Sequence, residues 1–221
     1  MKLFDKLKRG TLNAVFPVVC PYCNNVIYPD DFACDKCRAQ FPEFSLRRYA
    51  IGGFLCSSAF PYKEMYAGAV KSFKFGEKGY YAKQLAYMMV KAIKDIYTEQ
   101  EIADFDVITC VPMHKKDKKR RGFNQSELLA RECSVLLNIE YADVLIKHKK
   151  NLKQHTLKRS EREKNVKGVF KCAQGDAVKD KHVLIIDDII TTGHTLGECA
   201  RILKKGGCRA VSCAVLCSVV I

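Results

Sequence analysis

The stretch from His182 to Thr195, HVLIIDDIITTGHT, constrains the fold of this chain more than any other. Val183–Ile186 is an uninterrupted run of β-branched residues and leucine, which is typical of a strand buried on both faces of a parallel sheet. Two adjacent carboxylates, Asp187 and Asp188, follow directly, and a turn rich in Thr and Gly comes next. Apolar residues at helical spacing then run up to Gly206-Gly207. The stretch therefore predicts a strand, an acidic pair, a turn and a helix.

Such a turn is suited to binding an anion. Backbone N–H groups at a helix N-terminus have no intrahelical partner, and the helix dipole favours negative charge there. The carboxylates of Asp187 and Asp188 would repel a phosphate, so the ligand should present hydroxyls or a divalent cation to them. A ribose 5-phosphate unit meets both requirements. The alternative is an ordinary strand–helix unit whose acids only cap the helix, but capping needs one Asp and no Thr-Thr-Gly turn.

This stretch resembles the phosphoribosyl-pyrophosphate (PRPP) motif of type I phosphoribosyltransferases. The resemblance implies that Asp187 and Asp188 are the catalytic acidic pair, which holds the ribose hydroxyls directly or through Mg²⁺. It implies that the 5-phosphate of PRPP is bound by the turn residues Thr191, Thr192, Gly193, His194 and Thr195. We expect the His194 side chain to be exposed within the turn, because its neighbours supply the hydrogen-bond donors.

Length and charge narrow the class of protein. The 221 residues suit one α/β domain of ordinary size with a small additional module. The formal net charge of +14 favours a polyanionic partner or phosphorylated ligands. Between Met113 and Lys167 there are 16 Lys/Arg against 7 Asp/Glu, and the run KKDKKRR at Lys115–Arg121 is the most concentrated part. A merely soluble basic surface would also explain scattered lysines, but it explains this run less well.

The sequence predicts a cytoplasmic protein without a membrane span. The apolar run Ala14–Val19 is short and contains Pro17, so it is not typical of a secretory signal. No segment reaches the roughly 20 apolar residues that cross a bilayer. In a reducing compartment, paired cysteines are metal ligands more often than disulfides.

Four of the twelve cysteines form two CxxC pairs, Cys20 with Cys23 and Cys34 with Cys37. Two such pairs bring four thiolates within reach of one tetrahedral ion, for which Zn²⁺ is the usual choice. Four protein ligands leave no open coordination position, so we predict a structural zinc ribbon. A redox-active CxxC and an iron–sulfur cluster are the alternatives. We place an N-terminal helix and the zinc-binding module in residues 1–45, and the larger domain in residues 46–221.

The larger domain alternates strands with helices, which predicts an α/β fold with a twisted, mainly parallel sheet. The predicted strands are Phe54–Tyr62, Phe105–Val111, Val183–Ile186 and Ala210–Ile221. The predicted helices are Met1–Ala14, which is short and amphipathic, Met65–Phe75, Tyr80–Tyr97, Ser126–Leu137 and the segment after the Thr-rich turn.

A second candidate loop follows Phe105–Val111, which delivers Pro112 to the carboxyl edge of the sheet. Open α/β sheets bind their ligands at that edge. The basic run and the sequence RGFNQ come next, before the helix that begins at Ser126. The order of strand, phosphate-compatible loop and helix N-terminus is repeated here, so this loop is a candidate for the pyrophosphate half of the ligand.

Together these motifs resemble the ComF family of competence-associated phosphoribosyltransferase-like proteins. The segments that carry the resemblance are CPYC and CDKC, KSFKFGEKG, VPMHKKDKKRRGFNQSELLA, the stretch between residues 154 and 170, and DDIITTGHTL. The match covers the chain from about Val19 onwards. Asn151 and Lys149 stand where threonine and arginine would be more usual.

The family resemblance also implies further site residues. Additional PRPP contacts would come from Lys74, Pro112 and Arg121. A flexible loop that closes over PRPP would carry Gln154, Arg162 and Asn165. The polar composition of Val144–Gly168 agrees with such a loop, and a solvated basic loop without a catalytic part is the alternative.

Three functional interpretations remain open. The resemblance implies a protein that binds PRPP with Mg²⁺ and acts in DNA uptake during natural transformation, alongside a competence helicase and a recombination mediator. The second is an active phosphoribosyltransferase of nucleotide metabolism with an unidentified acceptor. The third is a single-stranded DNA-binding module with a non-catalytic PRPP site, which the basic character of the chain favours.

Overall fold

The structure, a computed structural model, describes residues 17–50, 52–75, 78–149, 166–173 and 177–219. Within these ranges the strands are β1 Leu46–Ala50, β2 Phe54–Pro61, β3 Val107–Cys110, β4 Leu145–Lys147, β5 Phe170–Cys172, β6 His182–Ile190 and β7 Ala210–Ser218. The α-helices are α1 Asp35–Arg38, α2 Glu64–Phe75, α3 Ala82–Ile96, α4 Glu99–Ala103, α5 Lys115–Arg121, α6 Gln125–Leu137 and α7 His194–Lys205. A 3₁₀ helix at Gly79–Tyr81 precedes α3.

The main sheet has the strand order β1-β2-β7-β6-β3. Strands β2, β7, β6 and β3 are parallel, and β1 is added antiparallel to β2 at one edge. Strands β4 and β5 form a small separate antiparallel pair. The predicted α/β class with a mainly parallel sheet is therefore confirmed.

Side chains of β6 alternate between two layers of core. Leu184 and Ile186 belong to the layer formed with α2, α3 and α6, whereas Val183 and Ile185 belong to the layer formed with α7. All four side chains are fully buried. A continuous apolar run is what a central parallel strand requires, because helices cover both of its faces. Truncation of one such side chain to alanine typically costs about 2–5 kcal/mol of stability.

Most predicted elements are found with shifted ends, but two predictions need correction. Strand β6 does not stop before the acidic pair; its ladder with β7 continues through Asp187 as far as Ile190. The basic run, expected to be a loop, is the helix α5, and the His114 side chain accepts a hydrogen bond from the Lys116 N–H at its N-terminus. The predicted helix Met1–Ala14 lies outside the described residues.

An aromatic cluster attaches the four-cysteine segment to the sheet. Tyr22 and Phe41 make edge-on ring contacts with Phe60 of β2, and Tyr66 of α2 stacks on Phe60 with centroids 4.3 Å apart. Farther along, Phe32 stacks on Tyr87 of α3 at 4.4 Å. The segment therefore packs on the same face of the molecule as α2 and α3. Among the described residues, no helix combines the length and apolar character needed to cross a membrane.

Candidate functional site

The acidic pair lies near the carboxyl end of β6, with a lysine from α2 beside it. Asp188 Oδ2 is 2.8 Å from Lys74 Nζ, and these side chains are 10% and 22% exposed. Burial lowers the pKa of Lys74, but the charge and hydrogen bond of Asp188, with help from Asp187, outweigh this and raise its pKa above the usual value. Lys74 is therefore held as a cation beside Asp188, and its contact with PRPP stays a prediction.

Asp187 has a different environment from its neighbour. Its Oδ1 accepts hydrogen bonds from Ser126 Oγ at 2.7 Å and from the Asp188 N–H at 2.9 Å. Burial, and next the negative charge of Asp188, raise the pKa of Asp187 to about 7, although Ser126 and Lys74 oppose the shift. A cation or ligand hydroxyls at this position would favour the ionised form.

The Thr-rich turn links β6 to the N-terminus of α7. Gly193 has φ of 81°, a left-handed conformation that suits glycine, and its carbonyl accepts the first helical hydrogen bond from Gly197. His194 is half-buried, and its Nδ1 lies 2.6 Å from Thr192 Oγ1. The expectation that His194 is exposed was therefore wrong, because the turn folds its ring back onto Thr192.

These elements surround a cavity of about 300 Å³. The predicted site residues that line it are Lys74, Asp187, Asp188, Thr191, Gly193, His194 and Thr195. Thr192, Pro112 and Arg121 are not among the lining residues. The lining therefore combines an acidic pair with a helix N-terminus and a lysine, both of which favour an anion.

The second loop borders the same region from β3. Pro112 is half-buried and lies two residues after the end of β3, and Arg121 ends α5. Burial lowers the pKa of Arg121, while the charge of Asp188 opposes the shift. Its Nη1 donates to Gln125 Oε1 at 2.7 Å. Arg121 is therefore linked through Gln125 to the end of α2, although it does not line the cavity.

The sequence placed Gln125 in the candidate loop RGFNQ, but neither Gln125 nor Ser126 was named as a site residue. They are 1% and 5% exposed and contact site residues. Polar side chains at the start of a helix that follows a basic run were the signal that could have identified them. Gln154, Arg162 and Asn165 lie outside the described residues, so their assignment to a flexible loop stays a prediction.

The four paired cysteines form a second cluster, away from the cavity. Their Sγ atoms all lie within 4.8 Å of one another, and Cys23 Sγ is 3.5 Å from Cys34 Sγ. Tetrahedral zinc with bonds of about 2.3 Å needs sulfurs about 3.8 Å apart, so the donor set fits this ion. Burial raises the pKa of the Cys37 thiol, and the sulfurs of Cys23 and Cys34 raise it further. A divalent cation would reverse this effect by stabilising the thiolates.

The basic helix α5 presents its charges to solvent. Five of its side chains are exposed: Lys115, Lys116, Lys118, Lys119 and Arg120. Lys118 is paired with Glu127 at 2.6 Å, and Arg120 with Asp117 at 3.1 Å. The helix is therefore a positively charged surface.

Residues 119–219 match the model of the phosphoribosyl transferase domain. DNA utilization protein YhgH of Escherichia coli (strain K12) is 26% identical over 200 residues, which cover 90% of this chain and 83% of that protein. Competence protein F of Haemophilus influenzae is 27% identical over 190 residues, with coverage of 85% and 79%. Competence protein ComFC of Bacillus subtilis is 23% identical over 210 residues, with coverage of 92% and 79%. The resemblance to the ComF family is confirmed by these relatives.

Two solved structures are similar over part of the chain. An allosteric regulatory enzyme of purine biosynthesis has a TM-score of 0.40 and 20% identity, and covers 61% of this chain; the chain spans a quarter of its length. A purine phosphoribosyltransferase from Pyrococcus horikoshii has a TM-score of 0.37 and 20% identity, with coverage of 61% and 70%. With the domain match and the strand order above, the fold is of the type I phosphoribosyltransferase kind, with four clustered cysteines near its N-terminus.

Proposed function

We propose that the cavity binds PRPP together with Mg²⁺. The chain is homologous to competence protein F and contains a phosphoribosyl transferase domain. The single observation that carries the proposal is the composition of one cavity. An acidic pair, a Thr- and Gly-rich helix N-terminus and a half-buried lysine all line it. A ligand that satisfies all three must carry hydroxyls or a divalent cation on one side and phosphate groups on the other.

Each group would have a separate task. The turn from Thr191 to Thr195 would hold the 5-phosphate through backbone N–H groups and hydroxyls. The carboxylates of Asp187 and Asp188 would hold the ribose hydroxyls and Mg²⁺, an ion that prefers oxygen ligands. Mg²⁺ would neutralise phosphate charge when bound. Lys74 and Arg121 would hold the diphosphate group, by electrostatics and positioning.

Calorimetric titration with PRPP and Mg²⁺ tests this assignment. The wild-type chain should bind, and replacement of both Asp187 and Asp188 by Asn should abolish binding because the ribose and metal contacts are lost. Unchanged affinity in the double variant would exclude the acidic pair from the site. Incubation with candidate bases, while pyrophosphate release is monitored, then tests whether any transfer follows binding.

A second proposed function is the binding of single-stranded DNA during natural transformation. The observation that favours it is the exposed basic surface of α5, and the relatives are named as competence and DNA utilization proteins. Single-stranded DNA is bound by basic surfaces that follow its backbone. The cavity and α5 are different surfaces, so this function is compatible with PRPP binding.

Filter binding of single-stranded DNA over a range of salt concentrations tests the second function. Affinity should fall steeply as salt rises, with a logarithmic slope of about −0.7 for each phosphate contacted. Absence of DNA binding at low salt would remove this function and leave the cavity proposal untouched.

A further inference from the structure

Three consecutive polar side chains at the start of α6 are buried and form hydrogen bonds with three different parts of the cleft. We use the word cleft for the cavity together with the neighbouring ends of α2, β3 and α5. Asn124 Nδ2 donates to the Val111 carbonyl at 3.1 Å, just after β3. Ser126 Oγ donates to Asp187 on β6 at 2.7 Å. Gln125 lies between them and bonds both to the end of α2 and to the end of α5.

Gln125 uses both ends of its amide. Its Nε2 donates to the Lys74 carbonyl at 3.2 Å, and its Oε1 accepts from Arg121 Nη1 at 2.7 Å. Because a carbonyl only accepts and a guanidinium only donates, these two neighbours fix the orientation of the amide. An apolar or purely accepting side chain of similar size could not make both contacts.

Arg121 has a second contact with the same end of α2. Its guanidinium carbon lies 5.3 Å from the centre of the Phe75 ring, and Phe75 directly follows Lys74. The ring is 72% exposed, and a cation–π contact at an exposed site is weak. The buried amide of Gln125 is therefore the stronger connection between Arg121 and the segment from which Lys74 reaches the acidic pair.

We propose that Gln125 is a positioning residue that sets Arg121 against Lys74, so that both cations meet the diphosphate half of PRPP together. This inference rests on the proposed function, because it assumes that PRPP binds in the cleft. It then assigns the two halves of PRPP to two different parts of that cleft. The acidic pair and the Thr-rich turn serve the ribose 5-phosphate half, whereas Gln125 serves only the diphosphate half. A purely structural role would instead weaken the binding of both halves alike.

The test compares two probes, ribose 5-phosphate and PRPP, by calorimetry of the full chain with Mg²⁺ present. For Gln125→Met we expect PRPP binding to weaken about tenfold, the scale of one charge-assisted hydrogen bond, and ribose 5-phosphate binding to change less than about twofold. Gln125→Glu should also weaken PRPP selectively, because its carboxylate offsets the charge of Arg121. It should lower the salt dependence of PRPP binding for the same reason.

Two control variants accompany the test, and thermal unfolding checks that each variant is folded. Gln84→Met removes another buried amide, on α3 and outside the cavity lining, and should leave both affinities unchanged. Ser126→Ala removes a hydrogen bond to Asp187 and should weaken both probes. Equal losses for the two probes in both Gln125 variants would overturn the positioning role and leave the proposed function standing. Absence of binding of either probe by the wild-type chain would overturn the proposed function itself.

Discussion

At the scale of single residues, Asp187 and Asp188 are chemically identical and yet have different environments. Asp188 is paired with Lys74, whereas Asp187 accepts hydrogen bonds from Ser126 and the neighbouring N–H. Burial and the negative charge of Asp188 raise the pKa of Asp187 to about 7, more than these hydrogen bonds lower it. Without a ligand, the ionised form of Asp187 thus opposes folding. The cleft maintains an acidic group in a place where a cation or ligand hydroxyls would stabilise it.

The raised pKa predicts that Asp187→Asn stabilises the ligand-free chain at pH 8. The pKa of an unfolded aspartate is about 3.9, so between about pH 4 and 7 the folded chain binds more protons and loses stability as the pH rises. Asn keeps the Oδ1 acceptor and removes the charge. Urea unfolding should show a gain that is larger at pH 8 than at pH 5 by at least about 1 kcal/mol, because at pH 5 only the first part of this loss of stability has taken place. An equal effect at both pH values would contradict the pKa assignment.

Asp188→Asn is the matched control, and its effect should have the opposite sign. At pH 5 Asp187 is largely protonated, so little like-charge repulsion remains to be relieved. The substitution then removes the carboxylate that pairs with the mostly buried Lys74. We expect a loss of about 1–3 kcal/mol in the free energy of unfolding at pH 5, because a buried cation loses its partner.

At the scale of elements, the four-cysteine segment is too small to be stable by apolar burial alone. Its own buried cluster consists of Cys20, Ile27, Ala33 and Cys37. Two of these four are proposed metal ligands, so most of its order would come from the ion and from the aromatic contacts with Phe60 and Tyr66.

This predicts about one zinc per chain in protein purified under reducing conditions. The double variant Cys34→Ser with Cys37→Ser should contain none and should unfold at a lower temperature. Elemental analysis and thermal unfolding provide the measurements. A wild-type chain that contains no metal and yet keeps its unfolding temperature in the presence of a chelator would rule out a structural zinc.

The helix α5 allows a second prediction at this scale. Lys115, Lys116 and Lys119 are exposed, lie outside the cavity lining and form no salt bridge within the described part of the chain. If α5 is part of a DNA-binding surface, replacement of all three by Ser should make the salt slope of DNA binding less steep by up to about 2, or about 0.7 for each lost phosphate contact. PRPP affinity is the control and should change little. An unchanged slope would mean that these three lysines do not contact DNA and that DNA binds to another surface.

Helices and strands could be predicted where the spacing of apolar side chains matches the period of the backbone structure. The apolar spacing in α3 and the β-branched run in β6 are sufficient to specify both elements. The pattern failed for Lys115–Arg121, because a seven-residue helix without apolar positions has no hydrophobic period to detect. It failed again at Asp187, because the backbone hydrogen bonds with β7 continue regardless of side-chain polarity.

At the scale of the whole molecule, the cleft is assembled from distant parts of the chain. Lys74 comes from α2, Arg121 from α5, Ser126 from α6 and the acidic pair from β6. The acidic pair could be predicted from its own motif, whereas Lys74 and Arg121 were candidates only because of the family resemblance. The pairing of Lys74 with Asp188, or of Ser126 with Asp187, depends on how parallel strands align and could not be predicted from spacing alone.

The proximity of the two charged surfaces leads to a prediction for the molecule as a whole. Arg121 ends α5 and would hold the diphosphate of PRPP in the proposed function, whereas the exposed lysines of α5 do not line the cavity. If PRPP binds in the cavity and DNA on α5, saturating PRPP should remove at most one cation from the DNA surface. We therefore expect DNA affinity to fall by about threefold to tenfold, the contribution of a single charged contact, and not to disappear.

Fluorescence anisotropy of a labelled oligonucleotide, with and without PRPP and Mg²⁺, measures this effect. Sodium chloride at equal ionic strength is the control, because it separates occupation of the cavity from general screening of charge. Complete displacement of DNA by PRPP would mean that both ligands use the same cations. The basic surface would then be part of the cleft, and the large positive charge of the chain would serve one binding site instead of two.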